Sequence, residues 1–595
     1  MDENLKGLDF SSVRISDRFW NGLISLVREK TIPACIDRCV ETGRIENFVL
    51  AAASGGGEHS GKSYDDSDVY KVLEGIGYSL RQAENRELEE KADAIIDRIA
   101  AAQEGSGYLN TKHSLLDHGR FEDMDEHELY NGGHLLEAGI AYRLGTGKDK
   151  LLEVGRRFAD HVMDIFGPGR REWVTGHQEM ELALVKLGEF LGERKYLDFA
   201  RWLLEQRGRG HGSRGPNGGK GAWDREYRQD LVPVEELDRI YGHAVRAMYM
   251  FAAMADLARL MPTAYLPALT RLWENICGRN MYVTGGIGQS GTNEGFTRDY
   301  HLPNESAYCE TCAAVGMVFY NQRMFLLTGE SKYLDVLERE IYNGVVSGLS
   351  LDGDRFFYDN PLESNGDKGR KPWFKTSCCP TQLARFIPSI GSYIYAEKGN
   401  ELFVNNYISS ELSSGCRLKL ECALPNSGRV RFSGITNERF CRICLRIPSW
   451  ANSHSVGNLD GATRSGIRNG FLLFDVGETF SIELNLEMKI DFIRARAEVE
   501  DDRGKLAVQY GPVVYCLEER DTADYDGFSF RQGDLFRLKE GRDCLHGRIV
   551  IEVVDGMSGG LRAELIPYQL WNNRGAGRMK VFIPADADQT LYSSH

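Results

Sequence analysis

The chain reads as a multidomain protein with an N-terminal (α/α)6 barrel followed by one or two antiparallel β-sandwich domains. Three observations predict this. At 595 residues the chain is too long for a single hydrophobic core. Apolar residues recur at spacings of three and four from about Phe19 to Lys398, then at a spacing of two after about Gly399. The helical part divides into about twelve runs, which is the number such a barrel needs. The expected boundaries are 1–398 for the barrel, 399–500 for a first sandwich and 501–595 for a second sandwich or its continuation.

The runs lie near 17–42, 66–82, 86–103, 126–145, 147–165, 178–190, 195–206, 235–261, 264–277, 305–328, 331–347 and 379–396. A helical-repeat solenoid is the rival, but no fixed period of roughly 34 or 40 residues recurs. Several links are longer than a connector needs, and long loops in compact domains carry function more often than not. Ser54 to Tyr64 is glycine-rich and leads into Asp65-Asp66-Ser67-Asp68, acidic residues suited to a helix N-terminus. Residues 206–223 alternate glycine with arginine and lysine and read as a loop. Met281 to Pro303 contains Gly285, Gly286, Gly288, Gly291 and Gly295 and is too irregular for a helix.

In the β region Phe480, Ile482, Leu484, Leu486 and Met488 alternate with Ser481, Glu483, Asn485 and Glu487, the pattern of a half-buried strand. Shorter strands are expected near 401–410, 428–433, 440–447, 471–476, 505–517 and 548–554, separated by glycine, asparagine and aspartate turns.

Composition narrows the function. Hydrophobic content of 42% and charged content of 27% fit an ordinary globular protein. A net charge of −15 excludes nucleic acid as the main partner and leaves neutral or sugar-like ligands open. Met1 to Trp20 lacks the apolar core of a signal peptide, and no stretch is long and apolar enough to span a bilayer, so no membrane partner is expected. Thirteen cysteines, an odd number, then read as reduced thiols, and a cytoplasmic enzyme is the expectation.

The cysteines hold the strongest chemical lead. Cys378 and Cys379 run into Pro380, and 66 residues before Cys378 stands Cys312 in Tyr308-Cys309-Glu310-Thr311-Cys312. Neighbouring thiols make a poor structural disulfide, but two thiolates can share one metal ion. Glu310, Cys312, Cys378 and Cys379 offer one carboxylate and three sulfurs, which suits tetrahedral zinc. Pro380 fits the first position of a helix, which would put Cys379 at the N-cap. Glu310 and Cys312 are two apart, so they can meet one ion only if the chain enters its helix between them. An alternative set replaces Glu310 with Cys309 and gives a closed, purely structural four-cysteine site. Cys441 with Cys444 and Cys35 with Cys39 lack partners of matching geometry and read as core or surface residues, the strand spacing of the first pair sending its side chains to opposite faces.

Read in order, Met281-Tyr-Val-Thr-Gly-Gly-Ile-Gly, Asn293-Glu-Gly-Phe, Leu302-Pro-Asn, Glu310-Thr-Cys and Cys378-Cys-Pro resemble glycoside hydrolase family 127, which contains β-L-arabinofuranosidases. The resemblance continues through Asp66-Ser-Asp-Val-Tyr-Lys, Gly107-Tyr-Leu-Asn-Thr, Gly176-His-Gln-Glu-Met-Glu-Leu-Ala-Leu, Gly242-His-Ala-Val-Arg and Tyr510-Gly-Pro-Val-Val-Tyr-Cys, nearly the whole chain. It implies the same barrel and sandwich, and a retaining hydrolase whose nucleophile, Cys378, is bound to zinc with Glu310, Cys312 and Cys379. It implies Glu294 as general acid/base, and His127, His177, His243 and Tyr358 as contacts to the sugar.

The expected function is removal of a terminal β-L-arabinofuranose from small arabino-oligosaccharides or glycoconjugates, an exo action. Two other readings stay open: the same mechanism on another furanoside, such as a branched acidic pectic sugar, or a non-catalytic carbohydrate-binding protein with structural zinc. A basic loop from Arg207 to Arg225 would suit an acidic sugar. Trp173, Trp223 and Trp373 are as well explained by packing as by sugar stacking. A sandwich domain offers a surface for a homodimer, although no stripe of residues marks it.

Overall fold

The computed structural model describes residues 4–53, 57–116, 119–211 and 225–585, and it contains a helical barrel domain and antiparallel β domains, as the change of period predicts. Most of the loop expected at 206–223, with Trp223, lies outside the described residues, as do residues 54–56 of the link before Tyr64.

Helices alternate between two kinds. Asp66–Gln82, Glu128–Thr146, Glu179–Leu191, Ala244–Leu260 and Thr311–Thr328 are almost wholly buried, charged residues of the first among them. Each is followed by an amphipathic helix that buries one face: Arg86–Ala102, Lys150–Ile165, Arg194–Glu205, Tyr265–Asn275 and Lys332–Arg339. Helices buried all round form the inner ring and one-faced helices the outer, which is the α/α plan. The run expected at 235–261 shortens to Ala244–Leu260, because the chain makes only a single 3-10 turn at Val234–Glu236 and is broken again at Gly242, φ 71°. Two short helices, Arg44–Ala52 and Thr111–Leu116, occupy stretches read as links.

The chain divides into two compact units. One comprises Gly22–Ile276 and Trp373–Gly391. Glycine sets its closest helix approaches: a Cβ on Gly75 would lie 2.3 Å from the Ala384 carbonyl oxygen, and one on Gly77 would lie 2.6 Å from the backbone of Ala141. Helix Asp66–Gln82 is thereby seated against both Glu128–Thr146 and Cys378–Phe386.

The other unit comprises Met1–Asn21, Cys277–Pro372 and Ser392–His595. A ten-stranded sheet runs in the order Lys6–Gly7, Tyr395–Lys398, Glu401–Val404, Arg442–Arg446, Phe471–Leu486, Ser427–Ile435, Arg417–Ala423, Ser410–Leu412 and Val13–Ile15, with His454–Arg468 paired to Phe471–Leu486. Residues 6–15, which precede the first expected helix, supply both edge strands of that path. All pairings in it are antiparallel except Glu401–Val404 with Arg442–Arg446. A nine-stranded sheet takes Ile490–Ile493, Lys505–Tyr510, Val513–Glu518, Leu561–Pro567, Ile549–Asp555 and Asp534–Glu540 in that order.

The core of this second sheet reaches back to residues before the β region. Tyr282, Ala307, Cys309, Phe357 and Leu362 pack with Val514, Cys516, Tyr568, Trp571 and Met579. Phe357 and Trp571 stack with centroids 4.8 Å apart, and the Arg370 guanidinium lies 4.3 Å from the Phe357 ring centroid. The loop carrying Glu294 and Glu310 thus rests on the C-terminal sheet. Among the described residues no helix is long and apolar enough to cross a membrane.

Candidate active site

In the first unit Cys378 and Cys379 open the helix Cys378–Phe386, with Ser377 at the N-cap. The helix begins earlier than the sequence suggests: Cys379 lies inside the first turn instead of capping it, and Pro380 is third. The first four N–H groups of a helix need no intrahelical acceptor, so proline is tolerated there without starting the helix. The entry is tied down on both sides. The Ser377 hydroxyl donates to the Phe374 carbonyl at 2.5 Å, and the Thr381 hydroxyl lies 3.1 Å from the carbonyls of Ser377 and Cys378 and 3.2 Å from Asp68 Oδ1. Asp68 is ion-paired with buried Arg44 at 2.9 Å.

His127, His177 and His243 each stand just before or at the cap of an inner helix, as the sequence predicts, and their rings form a row. Centroids are 6.5 Å apart from His127 to His177 and 5.9 Å from His177 to His243. Tyr130 packs 4.5 Å from His177, Tyr64 packs 5.1 Å from His127, and Tyr249 packs 5.5 Å from His177. Burial, then the Arg246 guanidinium, lowers His127 to about 4 and holds His177 well below the ordinary histidine value. Both imidazoles are therefore neutral near pH 7, able to donate from one nitrogen and accept at the other, as sugar hydroxyls require.

Sequence reasoning missed the groups behind this row. The Lys71 ammonium donates to the Tyr130 hydroxyl at 2.6 Å. Arg385, on the cysteine helix, pairs with Glu74 at 2.9 Å and with Glu137, which also meets Lys186; its Nη2 donates to the Tyr249 hydroxyl at 3.1 Å. Glu74, His134 and Glu137 present ligand-type atoms close together. Arg385 and Lys186 already supply the positive charge there, so these residues form an internal ion network and not a metal centre. The available signal was position: Tyr130 follows His127 by three residues, and Lys71 closes the Asp66-to-Lys71 segment.

In the second unit Glu294 occupies the turn between bridged Ser290 and Gly295, at φ 49°. The side chain is half-buried and accepts from the Tyr308 hydroxyl at 3.4 Å. Tyr358 packs 6.1 Å from the Tyr308 ring, and its carbonyl accepts from Thr311 N at 3.0 Å. Helix Thr311–Thr328 starts between Glu310, its N-cap in extended conformation, and Cys312, as a shared ion requires. Buried Asn360 fastens this entry: its Nδ2 donates to the Cys309 carbonyl at 2.9 Å and to Thr311 Oγ1 at 3.0 Å, and its Oδ1 accepts from Ser347 at 2.9 Å.

Among the described residues, Glu310, Cys312, Cys378 and Cys379 each offer one ligand atom, and these atoms all lie within 4.8 Å of one another. Cys309 is not in the group; its side chain is buried in the apolar core with Tyr282 and Trp571, which leaves no four-cysteine site. None of the thirteen cysteines is in a disulfide; Cys441 is exposed and Cys444 buried, on opposite faces as their spacing predicts. One carboxylate and three soft sulfurs in a mostly buried cluster fit a thiophilic divalent metal such as zinc.

A helical barrel domain, antiparallel β domains and such a cluster mark the chain as a candidate enzyme, and comparison with known proteins gives its class and family. Residues 12–392 match the model described as β-L-arabinofuranosidase, GH127 catalytic domain, and residues 490–584 match the glycoside hydrolase family 127 C-terminal domain. The chain belongs to glycoside hydrolase family 127 and is a glycosidase. It is 34% identical over 602 residues to the non-reducing end β-L-arabinofuranosidase of Bifidobacterium longum subsp. longum, covering 90% of this chain and 92% of that protein. A crystal structure of a GH127 β-L-arabinofuranosidase from Geobacillus stearothermophilus T6 aligns with TM-score 0.88 at 36% identity, over 96% of this chain and 100% of that one. A solved GH127 β-arabinofuranosidase aligns with TM-score 0.89 at 36% identity, over 99% of both chains.

Proposed function

We propose that this glycosidase releases terminal β-L-arabinofuranose from small oligosaccharides or glycoconjugates with retention of configuration, Cys378 acting as nucleophile and Glu294 as general acid/base. The observation that carries the reading is the convergence of Glu310, Cys312, Cys378 and Cys379 within 4.8 Å in a family 127 chain. Relatives named β-L-arabinofuranosidase at 34% and 36% identity support the choice of sugar. Glu310, Cys312, Cys378 and Cys379 would hold zinc. Bound there, zinc supplies the positive charge that keeps a thiol, ordinarily protonated at neutral pH, as thiolate.

The chain's own groups then divide the work. Cys378, the half-buried member beside fully buried Cys379, is the sulfur a sugar can reach, and it attacks the anomeric carbon. Glu294 gives its proton to the departing glycosidic oxygen as that bond breaks, leaving a sugar–Cys378 thioglycoside. Glu294, now carboxylate, takes a proton from water as the water oxygen bonds to the anomeric carbon and the Cys378 sulfur leaves. Two displacements retain configuration. The Tyr308 hydroxyl, 3.4 Å from Glu294, steadies the carboxylate form. Neutral His127 and His177, with His243 at the end of the row, orient the sugar hydroxyls.

The test is turnover of an aryl β-L-arabinofuranoside followed by proton NMR, with mass spectrometry of trapped protein. Wild-type enzyme should first release the β-anomer and carry one pentose on the tryptic peptide containing Cys378, and Cys378→Ala should do neither. A fully active Cys378→Ala protein would sink the mechanism.

A further inference from the structure

A second concavity lies beside the cysteine helix, within the same unit. It encloses about 580 Å³ and is lined by Arg44, Lys62, Asp65, Trp373, Phe374 and Lys375. That volume takes one or two sugar rings. Its wall 373–375 is the chain that leads directly into Ser377 and Cys378, and the Phe374 carbonyl accepts the bond of the N-cap serine. Tyr64 connects its wall to the histidine row. The hydroxyls of Tyr64 and Thr376 are hydrogen-bonded at 2.9 Å, and the Tyr64 ring packs 5.1 Å from His127.

The charges in this cavity are unequal. Asp65 and Arg44 neutralise each other, with oxygen and nitrogen 3.3 Å apart and both side chains buried; Asp68 takes the rest of the guanidinium. Arg44 also lies 5.5 Å from the Trp373 ring centroid, which fixes that ring as a wall. Lys62 and Lys375 are exposed, and neither ammonium has an ion-pair partner among the described residues. What the cavity shows to solvent is therefore two aromatic rings and two ammonium groups outside any salt bridge, Lys62 within the field of Asp65, on a protein whose net charge is −15. A locally positive concavity on an acidic protein concentrates anions, and half-buried aromatic rings suit the apolar face of a sugar.

Resting on the reaction above, we propose that this cavity receives the leaving-group side of the substrate, and that the group it selects is a uronic acid, its carboxylate held by Lys62 and Lys375 against the Trp373 and Phe374 wall. The exo-acting enzyme would thus remove arabinofuranose from acidic oligosaccharides in preference to neutral ones.

The experiment compares β-L-arabinofuranosyl glucuronate with β-L-arabinofuranosyl glucose of the same linkage, reading the ratio of their kcat/KM values for wild-type enzyme and for Lys62→Ala/Lys375→Ala. We expect the wild-type ratio to favour the glucuronate, chiefly through KM, to fall about tenfold in the double variant as two partly exposed charge-assisted contacts are lost, and to fall in wild-type enzyme as salt is raised. A wild-type ratio near one, or a ratio unchanged by the double substitution, overturns the proposal while leaving the arabinofuranosidase reading intact. If neither glycoside is turned over, the choice of sugar fails, and calorimetric titration with free glucuronate decides the cavity: binding by wild type that is lost in the double variant supports it, and no binding overturns it.

Discussion

Asn360 is the sharpest place to perturb the candidate metal site without touching a ligand. It lies 2% exposed, and its amide joins three groups of the entry to helix Thr311–Thr328: the Cys309 carbonyl, Thr311 Oγ1 and the Ser347 hydroxyl, at 2.9, 3.0 and 2.9 Å. Asn360→Ala removes all three bonds from buried partners. At about 1 kcal/mol net per bond the fold loses about 3 kcal/mol. The same bonds hold Glu310 and Cys312 across the helix start, so zinc affinity should fall about 10- to 100-fold, the range for groups that support ligands. The assay is competition with a chromophoric chelator, alongside thermal unfolding of the metal-loaded protein. Asn360→Asp is the control: it keeps the shape and the acceptor for Ser347 but loses both donors, and should weaken zinc comparably. Unchanged chelator competition in both variants would refute the claim that this amide holds the ligand pair in register.

Four further outcomes are expected. Glu294→Gln should cost glycosides with poor leaving groups at least about 100-fold in kcat/KM and activated aryl glycosides far less; equal losses would argue against the acid role. Dialysis against a thiophilic chelator should abolish turnover and zinc alone should restore it, measured as activity against metal content by atomic emission. Gly75→Ala should destabilise the protein by at least about 2 kcal/mol, since its Cβ would stand 2.3 Å from the Ala384 oxygen and the two helices must part; an unchanged melting midpoint would contradict the packing. Asp66 is buried and accepts from Thr111 N at 2.8 Å and Thr111 Oγ1 at 2.6 Å, and burial raises its carboxyl from the ordinary 3.8 to about 7. The folded protein holds that proton more tightly than the unfolded chain, so the stabilisation is complete below about pH 4 and is lost as pH rises to about 7, on the order of 4 kcal/mol in all. Denaturation curves at pH 5 and 8 should show the loss in the wild type and little of it in Asp66→Asn.

Much of the fold was legible because the two periods are strong. Runs at 66–82, 86–103 and 178–190 coincide with helices Asp66–Gln82, Arg86–Ala102 and Glu179–Leu191 to within a residue or two at each end. Alternation over 480–488 marks the second half of Phe471–Leu486; the polar stretch Gly477-Glu478-Thr479 hid the fact that one strand continues through. His454–Arg468 left no mark at all, since it pairs only with Phe471–Leu486 and has no buried position, so nothing forces an apolar alternation. The cysteine and glutamate cluster was readable because few other arrangements employ adjacent thiols. Its supports were not. Asn360, Thr381 and Arg385 act through folding partners 49 to 313 residues away, such as Thr311 for Asn360 and Asp68 for Thr381, and no local pattern announces such pairings.

The helix start between Glu310 and Cys312 gives these two residues different mechanical footings. Glu310 belongs to extended chain whose neighbours are pinned by Asn360 and the Tyr358 carbonyl, whereas Cys312 turns with the helix. Each residue added to or taken from that helix between them rotates the sulfur by about 100° about the axis while the carboxylate stays in place. A one-residue insertion after Glu310 would therefore leave every donor present in the chain and still destroy the cluster. The register of one helix end is in this sense a ligand in its own right.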